Sequence, residues 1–109
     1  MTEEIMKPFE IQVITTLIDV LVDGKDQYGE TVGRYRSGSD LEMYLGNANI
    51  ELNLESNSRK TATRKALIQA NNLQPDSVAK VIEQVTDPRE YGEDKLLHQK
   101  AVEHINRSL

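Results

Sequence analysis

Apolar side chains recur at intervals of three and four residues in three segments of this chain, a spacing that places each set on one face of a helix. The sets are Ile14, Leu17, Ile18 and Leu21; Val78, Val81, Ile82 and Val85; and Leu97, Ala101, Val102, Ile105 and Leu109. One Phe, four Tyr and no Trp or Cys occur among 109 residues, so we expect an aliphatic core without disulfides. The sequence predicts a single all-α domain, 1–109, of about five helices.

Proline, glycine and capping residues set the expected boundaries of these helices. The predicted helices span residues 8–23, 39–46, 58–72, 76–86 and 93–109. Eight residues of the first are Val, Ile or Thr, which favour strands, but a strand would expose Ile14 and Val22. Ser39 or Asp40 caps the second, and Glu42 lies three residues after Ser39, as a capping box requires.

Two segments between the helices lack a helical pattern. Residues 24–38 hold four glycines and six charged or amide side chains. They predict a long surface loop. A short strand pair near residues 31–35 is a second option within it. Ile50, Leu52 and Leu54 alternate with polar residues, which indicates either a strand or an extended segment packed on helices.

The third predicted helix carries the sustained basic stretch of an acidic chain. The net charge is −5, yet residues 57–74 contain four bases and no Asp or Glu. Lys60, Arg64 and Lys65 project from the side opposite the alanine face; we call these three residues the basic patch. They are the candidate contacts for a partner or for phosphates, and the alternative is a solvated face paired with nearby acids.

Arg59 is separable from its neighbours in the basic stretch. It begins the helix on the apolar side, where its charge opposes the helix dipole. An inward arginine needs carboxylates or carbonyls around it. We therefore predict a structural clamp on the 24–38 loop or on a capping acid such as Asp40 or Glu42.

No constellation of residues predicts catalysis, a metal site or a cofactor. His98 and His104 lie six apart on one predicted helix, whereas two ligands of one metal need spacing of three or four. We interpret both as boundary residues, and pairing of a histidine with Glu103 has no nucleophile to serve. Ser37 to Asp40 resembles a turn leading into a helix cap. We therefore expect that the chain is not an enzyme.

Nucleic-acid binding is the alternative function. The third and fourth predicted helices, joined by a short turn, have a helix-turn-helix outline. The second of the two would have to contact bases, but its predicted exposed residues are net acidic and lack arginine. These residues are Asp76, Ser77, Lys80, Glu83 and Gln84. Phosphate contact by the basic patch is therefore favoured over base reading.

The start of the chain is acidic and has no adjoining apolar stretch typical of a signal peptide. The longest mostly apolar run, residues 9–22, is too short to span a bilayer and is interrupted by charges. We expect a soluble, cytoplasmic protein without a membrane partner.

Four segments resemble the N-terminal regions of bacterial abortive-infection family proteins, which act in phage defence. They are Gly-Arg-Tyr-Arg-Ser-Gly-Ser-Asp-Leu at 33–41, Ser-Arg at 58–59, Asp-Pro-Arg-Glu-Tyr at 87–91, and His-Gln-Lys-Ala-Val-Glu-His-Ile-Asn-Arg-Ser-Leu at 98–109. The resemblance implies a helical module that precedes an effector domain, often a HEPN-type RNase. The Arg-to-His spacing of four to six residues that such RNases use is absent from the chain.

The resulting expectation is a non-enzymatic regulatory or protein-interaction module. The resemblance implies that it senses or assembles, with catalysis elsewhere, and that its partner is a protein or a downstream effector domain. An apolar residue at the end of the last helix also suggests an N-terminal module excised from a longer protein. The contact surfaces expected are the basic patch and the loop before the second helix.

Overall fold

The computed structural model describes residues 6–55 and 57–109. Helix α1, Ile11–Ile18, continues into a π-helical turn, Asp19–Asp23, and ends at Gly24 with a φ of 72°. The segment is thus a helix and not a strand, as predicted, but it begins three residues after Pro8. Both backbone polar groups of Phe9 bond to the Asn71 side chain (2.8 and 2.9 Å), which holds the residues before Ile11 outside the helix.

The loop after α1 turns earlier than expected. A single antiparallel bridge joins Lys25 to Thr31, so a hairpin at residues 31–35 is wrong. Asp26 Oδ1 accepts hydrogen bonds from the backbone N–H groups of Tyr28 and Glu30, both 2.9 Å. This side-chain-to-backbone pattern fixes a tight turn at residues 26–30.

Helix α2, Gly38–Gly46, begins with a different cap from the one predicted. Ser37 caps it, with Asp40 as the reciprocal partner, because the Ser-x-x-acid spacing occurs twice in this segment. The extended residues that follow bury Ile50 and Leu52. The described residues offer this segment no strand partner, so it packs on the helices, as one of the two alternatives predicted.

Three more helices complete the fold. Helices α3, Arg59–Leu73, and α4, Pro75–Thr86, lie within one or two residues of their predicted bounds. A 3-10 turn, Pro88–Tyr91, leads to α5, Lys95–Asn106, which ends earlier than the predicted helix. Leu109 is exposed and leaves the expected stripe.

The helices form a closed ring, in which α1 packs on α3, α3 on α4, α4 on α5 and α5 on α1. The core inside the ring is aliphatic, with Tyr91 as its one fully buried aromatic residue among those described. The prediction of a small all-α domain is confirmed, and the option of a strand pair reduces to one bridge. Within the described residues, no helix is long and apolar enough to cross a membrane.

Candidate functional site

Arg59 points inward from the first turn of α3 and contacts the π-helical turn before the 24–38 loop and the last residues of that loop. Its guanidinium donates to the carbonyl oxygens of Arg36 (2.8 Å) and Val22 (3.2 Å) and forms an ion pair with Asp23 (2.8 Å). It also stacks on the Tyr35 ring at 4.3 Å. Of the two alternatives predicted, Arg59 contacts the 24–38 loop and not a capping acid, and Asp40 closes the α2 capping box. The stabilising effect of this clamp stays a prediction.

The basic patch lies on the outer side of α3. Lys60, Arg64 and Lys65 are all exposed. Within residues 6–55 and 57–109, none of these three side chains forms an ion pair with a carboxylate. In this part of the chain, no nearby acid therefore pairs with the patch, as the alternative of a neutralised face would require.

The patch borders two different environments. Lys60 and Arg64 line a cavity of about 270 Å³ beside α1, whose wall includes Thr15 and Asp19. Lys65 faces away from α1, donates to the Asn57 side chain at 3.4 Å, and lines a shallow groove. The other residues of that groove are Ile68, Gln69, Asn72 and Leu73. A partner that covers the whole patch would meet cations together with apolar side chains.

Arg36 is a buried arginine that the sequence placed on the loop surface. It is 7% exposed, and its guanidinium donates to the carbonyls of Val20 and Leu21 in the π-helical turn, at 3.3 and 3.2 Å. It also pairs with Glu90 at 3.0 Å and lies over the Tyr44 ring at 4.3 Å. Arg36 thereby ties the loop to the π-helical turn, α2 and the 3-10 turn. No local pattern in the sequence distinguishes it from the exposed Arg34.

A cavity of about 300 Å³ lies beside this arginine, between the loop and α2. Exposed Tyr35 and Met43 contribute to its walls, and so does Tyr44. The Tyr44 hydroxyl is buried without a hydrogen-bond partner among the described residues. Burial raises the pKa of Tyr44 far above its usual value, because it disfavours the tyrosinate. This is the loop surface that the sequence predicted as a contact.

The two histidines make separate structural contacts. His98 Nε2 lies 2.7 Å from the carbonyl oxygen of Thr86, and His104 Nε2 lies 2.9 Å from Asp19 Oδ2. Both side chains are half-buried at the edge of the α5 stripe, as predicted. The carboxylate beside His104 is Asp19 of the π-helical turn and not Glu103, because Glu103 bonds to Gln99 on the exposed side of α5.

A second cleft, of about 400 Å³, is formed by α1, the 26–28 turn and the end of α5; we call it the α1–α5 cleft. The Asp19–His104 pair lies in its wall, and so do the hydroxyls of Thr16 and Ser108, whose oxygens are 2.9 Å apart. Sequence reasoning missed this cleft, since its α5 wall lies more than 75 positions along the chain from the other two walls. No short motif could have found it.

Helix α4 presents an acidic surface. Asp76, Lys80 and Glu83 are exposed, whereas Ser77 is 5% exposed and Gln84 donates to the Tyr44 carbonyl at 3.2 Å. The expectation that Ser77 is exposed is wrong, because it packs next to α3 at the first turn of α4. The surface left for a base-reading helix contains one base and two acids.

The comparisons with known proteins add nothing to this geometry. No family model, curated protein or solved structure matches the chain. In the part of the chain that the structure describes, no three His, Asp or Glu side chains gather as possible metal ligands. The candidate site is therefore the basic patch, together with the loop surface at Tyr35 and Met43.

Proposed function

We propose that this chain is a non-enzymatic interaction module of the cytoplasm, whose basic patch binds an acidic protein surface. The proposal rests on a difference among the basic side chains, some of which are held by contacts within the fold while others are exposed. Arg36 and Arg59 are consumed by contacts within the fold, whereas Lys60, Arg64 and Lys65 are exposed and make no ion pair among the described residues.

The apolar neighbours of Lys65 support a protein partner over a simple polyanion. Ile68 is half-buried beside Lys65, and Leu73 is 76% exposed in the same groove. Protein interfaces combine an apolar centre with charged surroundings, and the charges guide the association. A partner with acidic side chains around a small apolar contact fits this surface.

The resemblance to N-terminal regions of abortive-infection proteins gives this proposal a biological setting. In that setting the chain is the sensing or assembly module of a bacterial phage-defence protein, and the partner is a downstream effector domain. The effector carries out the catalysis, and this chain regulates it through the basic patch and the loop surface.

Charge reversal tests the proposal. The Lys60→Glu/Arg64→Glu double variant should lose a partner that the wild-type chain captures from cells of its source, because two attractive contacts become repulsive. The captured protein, identified by mass spectrometry, should have an acidic surface. If the partner is a second copy of this chain, the mass measured by analytical ultracentrifugation should rise with concentration.

The matched control is Lys80→Glu/Lys95→Glu, which makes the same charge change at exposed residues of α4 and α5. This control should retain the partner. Equal loss in both double variants, or a strictly monomeric wild-type chain that captures nothing, would count against the proposal.

Nucleic-acid binding is the second candidate, and it too is favoured by an exposed patch that forms no ion pair among the described residues. In this alternative Lys60, Arg64 and Lys65 contact phosphates without reading bases. It differs from the first proposal in its steep dependence on salt, since each phosphate contact releases counterions.

A further inference from the structure

The α1–α5 cleft has the size and the side chains of a small-ligand site. Its volume of about 400 Å³ lies within the range of known ligand sites, roughly 300 to 1,000 Å³. Its walls come from α1, the 26–28 turn and α5, and it shares Thr15 and Asp19 with the cavity that Lys60 and Arg64 line.

Both carboxylates in the cleft already have hydrogen-bond partners in the fold. Asp19 lies 2.9 Å from His104 Nε2, and Asp26 accepts two backbone N–H groups at 2.9 Å each. The hydroxyls of Thr16 and Ser108 pair with each other. These hydrogen bonds hold both carboxylates in place within the fold.

Three further polar side chains line the cleft and take no part in these hydrogen bonds. They are the carboxamides of Gln12 and Gln27 and the guanidinium of Arg107, all on exposed residues. A guanidinium matches the geometry of a phosphate, with two parallel N–H donors. A carboxamide offers both a donor and an acceptor, as the edge of a nucleobase does.

Tyr28 supplies an aromatic surface at the mouth of the cleft. Its side chain is 82% exposed, although nothing in the turn requires an aromatic residue. The turn itself is fixed by the two hydrogen bonds to Asp26, by the Lys25–Thr31 bridge and by Gly29, whose φ is 81°. The ring is thus carried on an ordered turn, where a planar heterocycle can stack on it.

We propose that the α1–α5 cleft binds a nucleoside monophosphate, with the base on Tyr28 and the phosphate at Arg107. Gln12 and Gln27 bond to the edge of the base or to the ribose. The ligand is a free nucleotide, since a cleft of about 400 Å³ has the size of a site for one small molecule.

Titration of the ¹⁵N-labelled chain with AMP, GMP, CMP and UMP tests this proposal. At least one nucleotide should shift the backbone amide signals of Thr16, Tyr28 and Ser108. Adenosine and guanosine should bind more weakly because they lack the phosphate. Ribose 5-phosphate and inorganic phosphate should also bind more weakly because they lack the base. Equal binding of inorganic phosphate, shifts confined to α3, or no shift with any nucleotide would overturn the proposal.

Two surface variants assign the two halves of the ligand. Tyr28→Ala should weaken nucleotide binding roughly 5- to 150-fold, the range for loss of one base–aromatic stack. Arg107→Gln should weaken binding of the nucleotide but not of the nucleoside. Arg89→Gln, which changes an exposed arginine outside the cleft, should leave affinity unchanged. An unaltered affinity in Tyr28→Ala would contradict the placement of the base.

Discussion

At the scale of single residues, Arg36 and Arg59 have a different role from the exposed bases Lys60, Arg64 and Lys65. The guanidinium groups of Arg36 and Arg59 each reach two or more backbone carbonyls and one carboxylate. Five N–H donors in a planar fork suit this task, whereas an ammonium group is compact and strongly hydrated. Lys60 and Lys65 remain exposed. One basic stretch therefore contains a structural residue beside contact residues.

Alanine substitutions separate these roles. Arg59→Ala should lower Tm by roughly 5 °C, because it removes an ion pair and two charge-assisted hydrogen bonds, together about 1–2 kcal/mol for a partly exposed group. Lys60→Ala and Lys65→Ala should change stability by no more than about 0.5 kcal/mol, as exposed substitutions do. Thermal unfolding followed by circular dichroism measures all three. An unchanged Tm in Arg59→Ala would contradict the clamp.

The sequence predicted that Arg59 points inward, but it did not predict which carboxylate pairs with it. The helical wheel places Arg59 inward, because that side of α3 is shared with Ala62 and Ala66. Its partner Asp23 comes within reach only through the π-helical turn, which no residue pattern indicates. The burial of Arg36 is harder still to predict, since it depends on three elements that meet around the loop: the π-helical turn, α2 and the 3-10 turn.

At the scale of elements, the π-helical turn and the loop hold each other in place. The turn buries Val20, Leu21 and Val22 in succession, because it is covered on more than one side. The loop approaches so closely that a Cβ on Gly33 would lie 2.3 Å from the Val20 carbonyl oxygen. Only glycine fits between these two backbones.

Two glycine substitutions should therefore have opposite signs. Gly33→Ala should lower the free energy of unfolding by about 1–3 kcal/mol, the usual range for overpacking. Gly46→Ala should raise it by up to about 1 kcal/mol, because Gly46 lies in α2 with no atom within 4 Å of an added Cβ. Urea unfolding measures both. A Gly33→Ala chain as stable as the wild type would show that the close approach is not required.

Helices were predictable at this scale, and the connections were not. The stripes of α4 and α5 depend on local spacing alone, and Pro75 and Pro88 mark boundaries that the structure keeps. The hairpin and the α2 cap were misplaced by a few residues, because several turn and capping residues compete within residues 24–40. The α1–α5 cleft depends on long-range packing, which no local signal contains.

At the scale of the whole molecule, charge favours a protein partner over a nucleic acid. The net charge of −5 repels a nucleic acid at long range, and the surface of α4 beside α3 is acidic as well. Domains that bind nucleic acids usually carry a basic surface over the whole contact. A patch of three bases in an acidic chain suits a local acidic region on a protein.

Binding to a labelled DNA duplex of mixed sequence, followed by fluorescence anisotropy, tests this central claim most directly. The chain should not bind the duplex at about 50 mM or about 200 mM salt. The claim would be contradicted by binding at low salt that weakens roughly 40-fold at the higher concentration, as three phosphate contacts require. Loss of that binding in Lys60→Glu/Arg64→Glu, with retention in Lys80→Glu/Lys95→Glu, would assign it to the basic patch.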